Sequence, residues 1–286
     1  MITVSRIKDL RAAIQQQKLA RKRVAFVPTM GNLHAGHISL VKRAHEMADY
    51  VVTSIFVNPL QFGAHEDLDK YPRTLDADKA QLVNAGNHVL YTPTTTQIYP
   101  KGLDQHTKVI VPGITESHCG ASRPGHFTGV STVVNILFNL VQPDIALFGE
   151  KDFQQVAVIR KMVKDLGLPI QIETVATMRE ASGLAMSSRN GYLSAAEKQV
   201  AAKLYKLLTE TGKQIEQGQR DYKALIQNGK ETLTAAGFEV DYLSIAQSET
   251  LAPAKPDDLD ITLLVAAKLG TTRLIDNISV CLSNPQ

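Results

Sequence analysis

The stretch Pro28-Thr29-Met30-Gly31-Asn32-Leu33-His34-Ala35-Gly36-His37 decides the predicted fold, because it joins an apolar run to a helical pattern. The apolar run, residues 24–27, is typical of a buried strand, and residues 38–48 have helical spacing. Ligands of an open α/β sheet bind beyond the carboxyl ends of its strands, and the N–H groups of a helix N-terminus favour anions. The stretch therefore predicts an anion site with two imidazoles. An ordinary strand-to-helix turn that happens to contain histidines is the alternative.

The sequence around this turn predicts a parallel α/β domain. Residues 50–57 form a nearly continuous β-branched run, as found in strands buried on both faces, so strand, helix and strand make a βαβ unit. Further strands are predicted at residues 89–91, 107–111, 144–148 and 169–175. Further helices are predicted at residues 7–22, 74–85, 130–140 and 156–166. We expect a Rossmann-like, doubly wound parallel sheet.

The pattern changes after residue 176. Ser194 and Glu197 have the spacing of a capping box, and the helix that they open is predicted to run to about residue 217 with a bend at Gly212. A second helix and four strands follow, at residues 221–236, 238–245, 261–268, 271–275 and 278–282. We therefore expect two domains, residues 1–176 and residues 177–286, the second being a smaller α+β domain.

Composition narrows the class of protein. The 286-residue chain has 44% hydrophobic and 21% charged residues, as ordinary globular proteins do. Its net charge of +3, without a long Lys/Arg run beside aromatic residues, argues against nucleic acid as a partner. The sequence has neither an apolar run of about 18 residues nor a signal peptide, so we expect a cytoplasmic protein with no membrane partner. Cys119 and Cys281 follow no metal-ligand or redox spacing and are predicted to be free thiols.

Two more predicted strand ends carry polar side chains. Asn58 and Gln61 follow the second strand, and their amides suit a hydroxylated or carboxylated substrate, although Asn-Pro is also common in turns. Lys151 and Gln155 follow the strand that ends near Gly149, where the lysine suits a phosphate, although solvated charge is the usual explanation of Glu-Lys-Asp. Carboxyl ends of parallel strands meet at one edge of a sheet. We therefore expect these loops to share one crevice with the histidine turn.

Two further loops carry arginine. Arg123 precedes a predicted helix, where its planar fork would hold a carboxylate or phosphate unless it is a salt-bridged surface residue. Ser187, Ser188 and Arg189 would suit the far end of a polyphosphate, although they are also a common turn composition. Histidines with a pKa near neutrality can donate to a phosphate whose charge grows during displacement, with Mg²⁺ offsetting the remaining charge. These features predict nucleotide chemistry at an α-phosphate without a protein nucleophile.

The chain lacks a Walker Gly-x4-Gly-Lys-Ser/Thr and a Gly-x-Gly-x-x-Gly after its first predicted strand, so ordinary kinase and dehydrogenase activities lose support. The turn resembles the His-Ile-Gly-His signature of the nucleotidylyltransferase superfamily. More narrowly, six motifs in order resemble those of the pantothenate synthetases, the pantoate–β-alanine ligases. They are Pro-Thr-Met-Gly-x-Leu-His-x-Gly-His at residues 28–37, Phe-Val-Asn-Pro-Leu-Gln-Phe at 56–62, Tyr-Pro-Arg-Thr at 71–74, Ser-Arg-Pro-Gly-His-Phe at 122–127, Gly-Glu-Lys-Asp at 149–152 and Met-Ser-Ser-Arg-Asn at 186–190.

The resemblance implies ATP-dependent condensation of pantoate with β-alanine to give pantothenate, AMP and pyrophosphate. Pantoate's carboxylate would attack the α-phosphate of ATP to form pantoyl adenylate, and the amine of β-alanine would then attack the acyl carbon. The resemblance also implies Mg²⁺ carried on the ATP phosphates without protein ligands, a homodimer, and a C-terminal domain that closes over ATP.

Roles for individual residues are likewise implied by the resemblance. The implied catalytic residues are His34, His37 and Lys151. The implied ATP-binding residues are Met30, Gly149, Lys151, Asp152, Met178, Ser187, Ser188 and Arg189. The implied pantoate-binding residues are Gln61, Gln155 and Asn58, and Arg123 is a candidate β-alanine or anion site.

One residue departs from the family pattern, and two other functions stay open. Ser182 stands where many members carry an acidic residue before Gly-Leu-Ala, and we assign it no role. Another adenylyl- or cytidylyltransferase of the same fold would share the histidines but lack the Asn58, Gln61 and Gln155 set. A catalytically idle nucleotide-binding or tRNA-associated module is disfavoured by the intact histidines and lysine and by the slight charge.

Overall fold

The computed structural model describes residues 1–63 and 66–282. Its strands are β1 (Ile2–Val4), β2 (Val24–Thr29), β3 (Tyr50–Ile55), β4 (Val89–Tyr91), β5 (Ile145–Gly149), β6 (Gln171–Val175), β7 (Glu239–Gln247), β8 (Asp260–Leu269) and β9 (Thr272–Cys281). Its α-helices are α1 (Ile7–Leu19), α2 (Ala35–Met47), α3 (Leu75–Asn84), α4 (Thr95–Ile98), α5 (Cys119–Ser122), α6 (His126–Val141), α7 (Phe153–Asp165), α8 (Ala195–Ala201), α9 (Lys203–Glu216) and α10 (Tyr222–Ala235). Short 3₁₀ helices lie at Pro59–Gln61, Glu150–Asp152 and Ser188–Tyr192. Within these described ranges, no helix is long and apolar enough to cross a membrane.

The first sheet has six parallel strands in the order β1-β4-β3-β2-β5-β6. Alternate residues of its buried strands face two separate helix layers, as the period of two in a strand requires. Phe26 packs with apolar residues of α1, α6 and α7, whereas Ala25 and Val27 pack with those of α2 and α3. The predicted doubly wound parallel sheet is therefore confirmed.

The second sheet is antiparallel, in the order β7-β8-β9, and it packs with α8, α9 and α10 around a core of its own. Its other face lies against the first unit, because Ala246, Leu251 and Leu264 belong to the core that contains Phe26. The predicted smaller α+β unit is present. The division at residues 176 and 177 stays a prediction.

The strand predicted at residues 107–111 is wrong, because the segment is irregular. Hydroxyl groups of α6 satisfy its backbone instead: Ser131 donates to the carbonyl of Val109 at 2.6 Å, and the Val109 N–H donates to Thr132 Oγ1 at 2.9 Å. The short strand β1, which pairs with β4, was not predicted, because its largely exposed residues lack the pattern of a buried strand.

Two predictions for the C-terminal region are also wrong in detail. The capping box at Ser194 is present, but the helix is interrupted at Ala202 and not at Gly212. Gly212 lies within α9, where a Cβ would come 2.8 Å from Cδ1 of Ile278, so this glycine permits close packing of β9. The strands predicted at 271–275 and 278–282 are one strand, β9, which runs through Asp276 and Asn277. These two polar residues are buried within the strand and do not form a turn.

We expect Gly129→Ala to destabilise the protein. α6 packs on the 3₁₀ helix Pro59–Gln61 at Gly129, where a Cβ would overlap the carbonyl oxygen of Leu60. Backbone that cannot move aside makes overpacking costly, by about 1–3 kcal/mol. Thermal unfolding measures the loss as a lower Tm. Gly191→Ala is the control, since a Cβ there has no heavy atom within 4 Å, and equal Tm values for the two variants would contradict this packing.

Candidate active site

One crevice at the carboxyl edge of the parallel sheet brings together every site residue that the sequence analysis named. Its volume is about 240 Å³, and a larger cleft of about 1170 Å³ between the two sheets adjoins it. The named residues that line the crevice are Met30, His34, His37, Asn58, Gln61, Arg123, Gly149, Lys151, Asp152, Gln155, Met178, Ser187, Ser188 and Arg189. The predicted convergence of the strand-end loops is thus observed, while the role of each residue stays a prediction.

The histidine turn fixes both imidazoles through their Nδ1 atoms. β2 ends at Thr29, and α2 begins at Ala35 with His34 as its N-cap. The N–H of Gly36 donates to Nδ1 of His34 at 3.1 Å, and the N–H of His34 donates to Nδ1 of His37 at 3.3 Å. A nitrogen that accepts a hydrogen bond carries no proton, so a neutral ring must carry its proton on Nε2. Each ring therefore presents Nε2–H as its donor.

Both imidazoles are neutral at physiological pH. Burial, with a smaller contribution from the Lys151 cation, lowers the pKa of His34 from 6.5 to about 4. Burial and then the neighbouring His34 ring, whose centroid is 4.1 Å away, lower the pKa of His37 to about 3. The sequence alone did not determine the protonation of either histidine. The site offers two neutral hydrogen-bond donors, and the fixed positive charge comes from other residues.

A buried carboxylate that the sequence analysis missed supports the turn. Asp78 of α3 accepts the N–H groups of Asn32 and Leu33 at 2.9 and 2.8 Å and the hydroxyl of Thr74 at 3.1 Å. Gly31 lies beside it at φ +84°, a backbone conformation that favours glycine, and a Cβ there would also come 3.1 Å from an Asp78 oxygen. The Tyr-Pro-Arg-Thr motif at residues 71–74 lies just before Asp78 in the sequence and could have drawn attention to this region, but it did not indicate a role for Asp78.

Asn58 is buried and forms hydrogen bonds with other residues of the site. Asn58 is 1% exposed, and its Nδ2 donates to Gln61 Oε1 and to the Gly129 carbonyl, each at 3.1 Å. The hydroxyl of Tyr99 donates to Asn58 Oδ1 at 2.6 Å. Gln61 Nε2 is then directed toward Met30 Sδ, 3.1 Å away. This geometry favours Asn58 as the residue that orients Gln61. Tyr99 was missed, because its segment gave no clear sequence pattern.

Two adjacent glutamines have different surroundings. Gln154 is buried, donates to the carbonyls of Ile114 and Ser117 at 2.9 and 2.8 Å, and accepts the N–H of Cys119 at 3.0 Å. Gln155 lines the crevice and makes no side-chain hydrogen bond with the residues that the structure describes. Gln154 therefore holds a loop in place, whereas the amide of Gln155 is available to a ligand.

Arg123 lines the crevice but is bound on several sides. Its Nε and Nη2 each lie 2.6 Å from a carboxylate oxygen of Glu66, and Nη1 lies 2.9 Å from Nε2 of His126. Burial, followed by the Arg123 charge, lowers the pKa of His126 to about 4, so its neutral ring accepts from Arg123 and donates from Nδ1 to the Gln61 carbonyl at 2.8 Å. This arrangement favours the salt-bridge alternative for Arg123, and its anion role stays a prediction.

The remaining cations that line the crevice, Lys151 and Arg189, each lie near a carboxylate. Lys151 Nζ is 4.0 Å from the Asp152 carboxylate. Arg189 donates from Nε and Nη2 to Asp67 at 3.1 and 2.8 Å. The hydroxyl of Ser188 donates to the carbonyl of Asn32 at 3.1 Å, so the Met-Ser-Ser-Arg-Asn loop contacts the histidine turn directly.

We expect His37 to make stability depend on pH. An unfolded histidine has a pKa of about 6.5, and folding lowers that of His37 to about 3. Below about pH 6.5 the unfolded state therefore binds more protons, and stability falls as the pH drops. This residue should remove about 2 kcal/mol between pH 7 and pH 5.

Urea unfolding of the wild type and of His37→Asn at both pH values measures this difference. The variant should lose about 2 kcal/mol less than the wild type over this interval. Equal losses would mean that His37 titrates normally in the folded protein.

Comparison with known sequences shows the family. A family model described as pantoate-beta-alanine ligase matches residues 2–279. The pantothenate synthetase of Hahella chejuensis is 68% identical over 280 residues, which cover 98% of this chain and 99% of that protein. The pantothenate synthetase of Pseudomonas aeruginosa is 56% identical over 280 residues, with the same two shares covered.

Solved structures agree with the sequences. The crystal structure of pantothenate synthetase from Thermus thermophilus has a TM-score of 0.91 at 46% identity and covers 97% of this chain and 99% of that chain. That of pantoate-beta-alanine ligase from Francisella tularensis, complexed with beta-gamma ATP and beta-alanine, has a TM-score of 0.82 at 34% identity and covers 97% of each. The match over nearly the whole length shows that the chain belongs to the pantoate–β-alanine ligase family, the pantothenate synthetases.

Proposed function

We propose that the crevice around the histidine turn carries out this family's reaction, the ATP-dependent condensation of pantoate with β-alanine through pantoyl adenylate. One observation carries the proposal: two neutral imidazoles, bound through Nδ1, line the same small cavity as Lys151 and Gln155. Hydrogen-bond donors fixed in advance stabilise developing negative charge without reorganising during the reaction. The crevice therefore suits displacement at a phosphate.

In the first step, a pantoate carboxylate oxygen forms a bond to the α-phosphorus of ATP. The bond from that phosphorus to the bridging oxygen breaks, and its electron pair leaves with pyrophosphate. His34 and His37 would donate from Nε2 to the non-bridging oxygens of the α-phosphate. Lys151 and Arg189 would bind the phosphates that leave, with the Ser187 and Ser188 hydroxyls as further donors.

Pantoate would lie against the amides of the crevice. Gln155 would donate to its carboxylate, and Gln61, held by Asn58, would bind its hydroxyl groups. The apolar wall from α6, formed by Val130, Val133, Val134 and Leu137, suits its hydrocarbon part. Met30, Gly149, Asp152 and Met178 would line the nucleotide side of the same cavity.

In the second step, the neutral amine of β-alanine attacks the acyl carbon of the adenylate. The bond from that carbon to the phosphate oxygen breaks, AMP leaves, and the amine loses a proton. This sequence needs no covalent intermediate with the protein. ATP and β-alanine as substrates are supported by the Francisella tularensis structure complexed with beta-gamma ATP and beta-alanine.

Mg²⁺ would enter with ATP. Among the crevice-lining residues in the described ranges, Asp152 supplies the one carboxylate, so the phosphates would be the main ligands of the ion. Bound there, the ion would neutralise phosphate charge. A homodimer, which the resemblance to this family implies, and a cytoplasmic location, which the sequence pattern predicts, are proposals as well. Sedimentation at twice the 31.3 kDa chain mass would support the dimer.

A product assay tests the proposed reaction. AMP should form only when pantoate and β-alanine are both present, and ATP–pyrophosphate exchange should require pantoate alone. Transfer of AMP or CMP to a phosphorylated acceptor would favour another transferase of this fold. Tight ATP binding without turnover would favour an idle nucleotide-binding module.

We expect His37→Ala to lower kcat by about 10²–10³-fold, the usual loss when one donor to a transition-state oxyanion is removed. Steady-state assays measure this. His45→Ala is the matched control, because His45 lies on the same helix, is exposed and lies outside the crevice. Full activity of His37→Ala, or an equal loss in His45→Ala, would contradict the assigned role.

Gln155→Ala should raise the KM for pantoate with less effect on the KM for ATP and on Tm, because only a ligand contact is lost. Gln154→Ala should lower Tm, because three backbone groups lose a buried partner at roughly 1–3 kcal/mol for each group left unpaired. A KM change for ATP rather than pantoate in Gln155→Ala would move this residue out of the pantoate pocket.

A further inference from the structure

Asn277 of the C-terminal sheet reaches across to the turn that carries Lys151. Its Nδ2 donates to the carbonyl oxygens of Glu150 and Lys151, each at 2.9 Å. Asn277 is 7% exposed. An amide has two N–H donors, so both hydrogens of this side chain are used on this turn.

These two hydrogen bonds fix the backbone on both sides of the lysine. The Glu150 carbonyl belongs to the peptide group before the Cα of Lys151, and the Lys151 carbonyl belongs to the peptide group after it. Peptide groups are planar, so holding both restricts the φ and ψ angles that set the direction of the side chain. The short 3₁₀ helix Glu150–Asp152 joins β5 to α7, and β9 lies against it.

Asn277 is itself held rigidly. Its N–H donates to Oδ1 of Asp276 at 2.8 Å, and Asp276, 4% exposed, accepts two hydrogen bonds from Arg179 at 2.6 and 2.9 Å. Arg179 also donates to the Gly183 carbonyl at 3.1 Å, and its guanidinium carbon lies 3.6 Å from the centre of the Tyr205 ring. The donor that positions Lys151 is thus attached to the segment that leads into the Ser187–Arg189 loop.

We propose that Asn277 is a positioning residue for the adenylation step, which holds the Lys151 turn from the C-terminal sheet. The proposal rests on the phosphate role proposed above for Lys151. Through these hydrogen bonds, the position of Lys151 at the end of β5 depends on how the C-terminal sheet packs against this turn. Misplacement of a reacting group by about 1 Å can cost about 10²-fold in rate.

Asn277→Ala and Asn277→Asp test the proposal, because the aspartate keeps the shape of the side chain but has no N–H. Both should lower pantoate-dependent ATP–pyrophosphate exchange by about 10- to 100-fold. Both should leave the reaction of preformed pantoyl adenylate with β-alanine unchanged, since pyrophosphate has already left. Equal losses in both half-reactions, or wild-type exchange in Asn277→Asp, would overturn the proposal.

Arg273→Gln is the matched control for docking in general. Arg273 lies on the same strand and donates to Ser122 Oγ across the same interface at 3.2 Å, but makes no hydrogen bond to the Lys151 turn in the described part of the chain. Exchange should be retained in this variant. A loss equal to that of Asn277→Ala would show that docking alone matters, and would overturn the proposal.

Lys151→Ala separates failure of this inference from failure of the proposed function. If Lys151→Ala abolishes exchange while Asn277→Ala retains it, only the inference fails. If Lys151→Ala retains exchange, the phosphate role of Lys151 fails first.

The double variant of Asn277→Ala and Lys151→Ala should lose no more exchange activity than Lys151→Ala alone, because Asn277 acts through the lysine. Additive losses of exchange activity would overturn the proposal. Thermal unfolding identifies any variant that is not folded.

Discussion

The hydrogen bonds from two backbone N–H groups to the two imidazole Nδ1 atoms are the constraint on which the site depends. They use up the acceptor nitrogen of each ring, and so they leave His34 and His37 with Nε2–H donors. They also explain Gly36, because a Cβ at that position would come 2.9 Å from Cε1 of His34. The histidine turn thus satisfies the N–H groups of His34 and Gly36 at the start of α2 and produces two oriented donors with the same contacts.

In this site, the neutral hydrogen-bond donors and the positively charged groups are different residues. Burial keeps both imidazoles neutral, and Lys151 and Arg189, which line the same crevice, supply fixed positive charge. A neutral donor costs less to bury than a further cation would, because burial disfavours the charged form of each group. The C-terminal unit completes this arrangement, since Ser188 contacts the histidine turn and Asn277 contacts the Lys151 turn.

The sequence was sufficient for the elements whose signals are local. Residues 24–27 and 50–57 predict two buried strands, and the rule for strand ends then places Asn58, Gln61 and Gln155 beside the histidines. Contacts between distant residues were not predictable. Asp78 supports a turn 45 residues away, and Tyr99 binds Asn58 at a distance of 41 residues. Local sequence patterns also gave a wrong prediction where tertiary contacts determine the structure. Asp276 and Asn277 have a composition typical of turns, yet partners from elsewhere in the fold satisfy them within β9.

The central claim is that His34 and His37 are neutral and carry their protons on Nε2. The most direct measurement is ¹⁵N NMR of protein labelled at histidine, with the two rings assigned through His34→Gln and His37→Gln. At pH 7, Nε2 of both rings should have the shift of a protonated nitrogen and Nδ1 that of an unprotonated one, with no change down to about pH 5. Imidazolium signals, or protons on Nδ1, would contradict the account.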